Sequence, residues 1–138
     1  MLSKSCEYGL RAALYLASLD EKGYVPISTI SEELDISFPF LTKIFQKLND
    51  AGLLTSQRGP KGGVALTQPA DEVTLYEIVV AIDGEDLFQE CVLGLPGCGN
   101  AEPCPLHDEW TENRNQVEKM FQNATLAELP NVRLTALD

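Results

Sequence analysis

The stretch SFPFLTKIFQKLNDAGLLTSQRGPKGGVALT, from Ser37 to Thr67, decides how this chain folds. Ser37 is placed to cap a helix whose first turn holds Phe38-Pro39, where a missing N–H costs little. Leu41, Ile44, Phe45 and Leu48 then recur at helical spacing as a buried stripe, while Thr42, Lys43, Gln46 and Lys47 occupy the opposite face. Gly52 ends the helix near Ala51. Leu53–Ser56 and Val64–Thr67 read as two short strands around Gln57-Arg58-Gly59-Pro60-Lys61-Gly62-Gly63, a loop of turn formers that holds two cations.

Toward the N-terminus, Leu10, Ala13, Leu14, Ala17 and Leu19 predict a helix from Ser3 to about Leu19, with Ser3 or Ser5 as its cap and Glu7 in the first turn. Cys6 lies in that helix, and core packing is its expected role. After a turn over 21–26, a shorter helix capped by Ser28 buries Ile30, Leu34 and Ile36, and Asp35-Ile36-Ser37 is a tight break. Two short helices, a tight turn, a third helix and a basic hairpin are the parts of a winged helix-turn-helix. In that arrangement the third helix enters the major groove and the hairpin reaches phosphates or the minor groove.

Toward the C-terminus, Thr74 and Glu77 form a capping box for a helix that buries Leu75, Ile78, Val79 and Ile82 and closes at Gly84. A long helix runs from His107 to about Asn123, through Trp110, Val117, Met120 and Phe121. Its apolar positions are sparse and an isolated helix of this kind is marginal, so it is expected to pack against a second copy of the chain. A capping-box turn over Thr125–Leu129 follows, and Pro130 onward reads as tail. The fold class is therefore mostly α with a small β-hairpin wing. It comprises a winged helix-turn-helix over 1–84, a cysteine-rich loop over 85–108, and a dimerisation helix with its tail over 105–130.

Between the last two helices lie Cys91, Cys98, Cys104 and His107, spaced C-x6-C-x5-C-x2-H and holding three of the four cysteines and the only histidine. Gly and Pro between them keep the backbone out of helix and strand and let it curl round a point. Thiolate and imidazole suit zinc or iron–sulfur clusters. The donor set is three sulfurs and one nitrogen, or three sulfurs with a carboxylate from elsewhere.

The 138 residues fit one domain, or a small domain with an oligomerising arm, and 44% apolar content supplies a core. No apolar run approaches the ~20 residues that cross a bilayer, and the N-terminus lacks the pattern of a signal peptide. A cytoplasmic chain follows, in which clustered thiols suggest metal more than disulfide. The net charge of −11 lies wholly in the second half: residues 1–66 carry seven basic and seven acidic side chains, and 67–138 carry three and fourteen. From Ser37 to Leu66, Lys43, Lys47, Arg58 and Lys61 face only Asp50, so a local basic surface can meet phosphates despite the acidic whole. No oxyanion hole, phosphate loop or carboxylate pair points to catalysis. A structural zinc site, or a metal-free thiol redox switch, would use the same residues differently.

These residues resemble the IscR/NsrR family of bacterial transcription regulators over about residues 1–130. The likeness rests on Glu7-Tyr8-Gly9-Leu10-Arg11-Ala12, on the wing run Ser56–Leu66 and on the three-cysteine loop before a long helix. It implies a dimeric winged-helix protein that binds operator DNA and carries an iron–sulfur cluster. Cys91, Cys98 and Cys104 match the cluster cysteines, and His107 matches the fourth ligand of the [2Fe–2S] branch. Glu7 falls where other branches supply a carboxylate from the partner subunit. Arg58 matches a minor-groove arginine beside Gly59 and Lys61, and Ser37 and Phe40 match positions on the reading helix. The chain departs from the family in a first gap of x6 rather than x5, in Thr42 for a glutamate and in Pro39 for a serine.

Overall fold

Helix α1 (Lys4–Ser18) starts where Ser3 Oγ accepts the Cys6 N–H at 3.0 Å, so the serine satisfies a donor that has no helical partner. The computed structural model describes residues 2–19, 23–90 and 105–128. Helix α2 (Ile27–Leu34) starts directly after Pro26 without any side-chain cap, so Ser28 does not take the capping role expected of it. The fixed φ of proline already pre-forms that entry. Asp35 closes α2 in the left-handed region at φ 55°, a conformation its short polar side chain tolerates.

Ser37 caps α3 (Phe38–Asp50) by accepting the Phe40 N–H at 3.3 Å. Gly52, at φ 79°, ends α3 in a Schellman arrangement: its N–H donates to Asn49 O and the Leu53 N–H donates to Leu48 O, both at 3.0 Å. Leu53 is therefore spent on the helix cap, and β1 (Leu54–Gln57) begins one residue later than the sequence suggests. It pairs antiparallel with β2 (Gly63–Leu66), Leu54 opposite Leu66 and Gln57 opposite Gly63. Val25 adds a third rung, exchanging two 2.9 Å backbone bonds with Val64. The 63 position must be glycine: φ is 148°, and a Cβ there would run into the carbonyl of Val25.

Thr74 and Glu77 make the expected reciprocal capping box at the start of α4 (Leu75–Asp83), and Gly84 ends it. A further short helix, α5 (Asp86–Gln89), follows where the sequence suggested only loop. Phe88 fixes it: the ring is 2% exposed and sits 5.0 Å from the Tyr76 ring and 5.8 Å from the Phe121 ring. Helix α6 (His107–Asn123) has the predicted bounds and returns to α4, where Leu75 N–H donates to Ala124 O and Leu126 N–H to Val73 O.

One apolar cluster joins these elements, with Ala12 and Ala13 of α1, Leu41, Phe45 and Leu48 of α3, Ile78 and Val79 of α4, and Phe88, Phe121 and Leu126 all buried. Each such side chain contributes roughly 1.5–3 kcal/mol for large residues. Gly9 lets α1 lie flat on α4, since a Cβ there would strike Ile82 Cδ1. The core thus sets α3 and the wing on one scaffold whose other end is α4, α5 and α6.

Candidate nucleic-acid interface and metal-ligand segment

The buried stripe of α3 turns its other face outward. Ser37, Thr42, Lys43, Gln46 and Lys47 are all exposed, and Phe40 is half-buried. Several of these groups already have work within the chain. Thr42 Oγ1 donates to Phe38 O at 2.9 Å, which leaves its lone pairs as acceptors. Gln46 Nε2 donates to Asp50 at 2.9 Å. Lys47 Nζ donates to the carbonyl of Ile82 at 3.3 Å, so the last turn of the reading helix is tied to the end of α4. Arg58, Gly59 and Lys61 are exposed at the hairpin turn, where Gly59 adopts φ 106°.

Residues to which the sequence assigned no role at this surface join it. Tyr8 of α1 meets Phe40 edge-to-face at 5.4 Å, and the Arg11 guanidinium lies over the Tyr8 ring at 5.5 Å. Lys4 Nζ stands 6.0 Å from the same ring and 3.2 Å from Glu7. The i, i+3 spacing of Tyr8 and Arg11 shows that they share a helix face. Only the packing of α1 on α3 puts that face beside the start of the reading helix. Lys4 and Arg11 thus stand on the α1 face that meets Phe40, while Lys43 is exposed on α3 and Arg58 and Lys61 at the wing turn.

Of the ligand candidates, Cys91, Cys98 and Cys104 lie outside the described residues. His107 is the first residue of α6 and half-buried, and Glu7 is in the first turn of α1, paired with Lys4. The start of α1 is anchored to the end of α4: Ser3 N–H and Oγ donate to the carboxylate of Asp83, its last residue, at 3.2 and 2.6 Å. Cys6 is fully buried. Burial first, and then the charge and hydrogen bond of Asp83, push its thiol up to about 12. It is held as a neutral thiol, which fits packing better than ligation.

Among the described residues no group of three His, Cys, Asp or Glu side chains could hold a metal ion. The donor chemistry nonetheless fits one: three thiols and an imidazole within seventeen residues, with a carboxylate in reserve. A second observation agrees. Thr111 Oγ1 and Arg114 Nε are buried with no hydrogen-bond partner among the described residues, and at i+4 and i+7 they share the His107 side of α6. Buried donors without acceptors are uncommon and suit a neighbouring anionic group.

A capped reading helix, a cationic hairpin packed against it and an α1 face that adds aromatic and basic groups define a winged-helix DNA-binding protein. Residues 2–131 match the model of Rrf2, described as an iron-dependent transcriptional regulator, and the chain belongs to that family. The HTH-type transcriptional regulator IscR of Erwinia tasmaniensis is 34% identical over 130 residues, covering 94% of this chain and 78% of that protein. The structure of CymR, the global cysteine regulator of B. subtilis, is similar with a TM-score of 0.77 at 25% identity, over 94% of this chain and 95% of that one. The oxidized form of Staphylococcus aureus CymR is similar with a TM-score of 0.76 at 28% identity, over 96% and 98% of the two chains. The protein is a transcriptional regulator that binds DNA through its winged helix.

Proposed function

We propose that this regulator works as a cytoplasmic homodimer whose hold on operator DNA is set by an iron–sulfur cluster, [2Fe–2S] in preference to [4Fe–4S]. Cys91, Cys98, Cys104 and His107 would hold it, with Glu7 of a second copy as the alternative fourth ligand. The observation that carries this reading is the donor series C-x6-C-x5-C-x2-H, which ends on the first residue of α6. The likeness to IscR supports it. When bound, the cluster supplies a centre whose charge and occupancy respond to its surroundings.

The protein residues would do the rest. His107 would be displaced more readily than thiolate, so it is the weak point of the donor set. Because it opens α6, a change at His107 reaches the helix expected to carry the dimer contact. The other end of the loop follows α4, whose Asp83 holds α1 and whose Ile82 holds Lys47 of α3. Closing the donor set around a cluster would therefore shift the balance between two placements of the reading heads on half-sites about one DNA turn apart. Ser37, Phe40, Thr42, Lys43 and Gln46 would meet the major groove, and Arg58, Gly59 and Lys61 the backbone or minor groove.

A second reading is a sensor that works by thiol oxidation, and the likeness to an oxidized CymR favours it. Anaerobic purification followed by absorption and paramagnetic-resonance spectra separates the two. The cluster reading expects visible absorption in the natural chain, lost in His107→Ala and kept in Glu7→Ala. A colourless zinc-loaded chain would establish the zinc alternative, and a metal-free chain whose mass changes on oxidation the thiol one. Equal operator affinity with and without cluster would remove the cluster from regulation.

A further inference from the structure

Helix α5 ends two residues before Cys91, with Glu90 as its C-cap, and its last carbonyls have no helical partner of their own. Two side chains of α6 take them. Trp110 Nε1 donates to Glu90 O at 2.7 Å, and Arg114 Nη1 donates to Gln89 O at 2.8 Å and to Glu90 O at 3.2 Å. Both donors come from 20 or more residues away along the chain, so these are tertiary bonds rather than local caps. Phe88, buried against Phe121 and Tyr76, backs the contact from the apolar side. Trp110 and Arg114 lie at i+3 and i+7 from His107, on one side of α6.

We propose that Trp110 and Arg114 are positioning residues: by gripping the Gln89 and Glu90 carbonyls they fix the end of α5 against the first turns of α6. They thereby set the separation between Glu90 and His107, the two residues that flank all three loop thiols. The proposal deepens the cluster reading and rests on it. A donor set whose two ends are already held loses less conformational freedom on closing round a metal. A single terminal nitrogen, Nη1, reaches both carbonyls, since it carries two N–H donors held in the guanidinium plane. Outer groups that orient metal ligands in this way typically govern affinity as well as geometry.

The test compares the full-length natural chain with Arg114→Met, Arg114→Lys and Trp110→Phe, each reconstituted anaerobically with ferrous iron and sulfide. Cluster loss to a chelator is followed by visible circular dichroism, and thermal unfolding of the metal-free forms is recorded alongside. We expect loss to accelerate on the order of 10-fold in Arg114→Met and Trp110→Phe, with Arg114→Lys between them and the natural chain. In the metal-free chain, a short bis-electrophile should cross-link the loop thiols more slowly in Arg114→Met and Trp110→Phe, while buried Cys6 stays unmodified. Unchanged loss and unchanged cross-linking in variants that fold would overturn the proposal, as would a lowered melting temperature with loss rates intact. If the natural chain takes up no cluster, the cluster reading fails by itself. The cross-linking rates then judge the grip: slower in the variants upholds it, equal rates overturn it.

Discussion

Cys6 shows how much of a side chain's chemistry comes from its surroundings. A thiol is a plausible ligand or redox group in the abstract, but here it has no solvent exposure and an aspartate beside it. Burial and the Asp83 charge both disfavour the thiolate, and the thiol stays protonated up to about 12 against an ordinary 9.0. The raised value makes stability fall with rising pH. Below pH 9 the thiol is neutral in both states and the term is absent. Above it the unfolded thiol ionises first, and stability declines by at most about 1.4 kcal/mol per pH unit. Urea unfolding between pH 8 and pH 10 should show that decline in the natural chain and a shallower one in Cys6→Ala. Parallel profiles would show that burial and Asp83 together do not hold the thiol neutral in solution.

At the scale of elements, α3 performs two tasks with neighbouring lysines. Lys43 is exposed on the outward face, whereas Lys47 Nζ reaches across to the Ile82 carbonyl. A cation at a helix C-terminus satisfies a carbonyl and complements the dipole, so Lys47 joins α3 to α4 as a structural tether. Each phosphate contact contributes about 0.9 to the slope of log affinity against log salt. We expect Lys43→Met to lower the slope by about that amount per subunit. Lys47→Met should lower it by less than half as much and reduce the melting temperature by a few degrees. Equal slope changes in the two variants would place Lys47 on DNA instead. The capping box at Thr74 offers a second measure of element stability, since Thr74→Ala should cost about 1 kcal/mol in denaturant unfolding.

For the whole molecule, the open question is what covers α6. Phe121 is its one buried residue among those described, while Met120 is 58% exposed and Leu106 47%. Among the described residues, this 17-residue helix is held by the Trp110, Arg114, Val117 and Phe121 contacts. The proposed dimer would cover it. Met120→Asp should then convert a dimer into a monomer by sedimentation equilibrium, and reduce operator affinity roughly 10²-fold or more because two reading heads no longer act together. A monomeric natural chain would remove the dimer from the proposal.

Periodicity, caps and turn residues were enough to locate five of the helices and the hairpin, because those features depend on neighbours within about four residues. The bounds of α6, the Ser37 and Thr74 caps and the stop at Gly52 were legible in this way. The cationic face of α3 and the spacing of the thiols were legible too, as patterns of residue type. Long-range contacts were not. Whether Pro26 or Ser28 starts α2, how Leu53 divides between cap and strand, and that Phe88 makes a helix of 86–89 all depend on which surfaces meet. So do the pairing of Tyr8 with Phe40, the tether from Lys47 to Ile82 and the grip of Trp110 and Arg114 on the residues before Cys91. In each, a donor or ring finds its partner across a distance in sequence that no local pattern encodes, and only the close-packed core brings the two together.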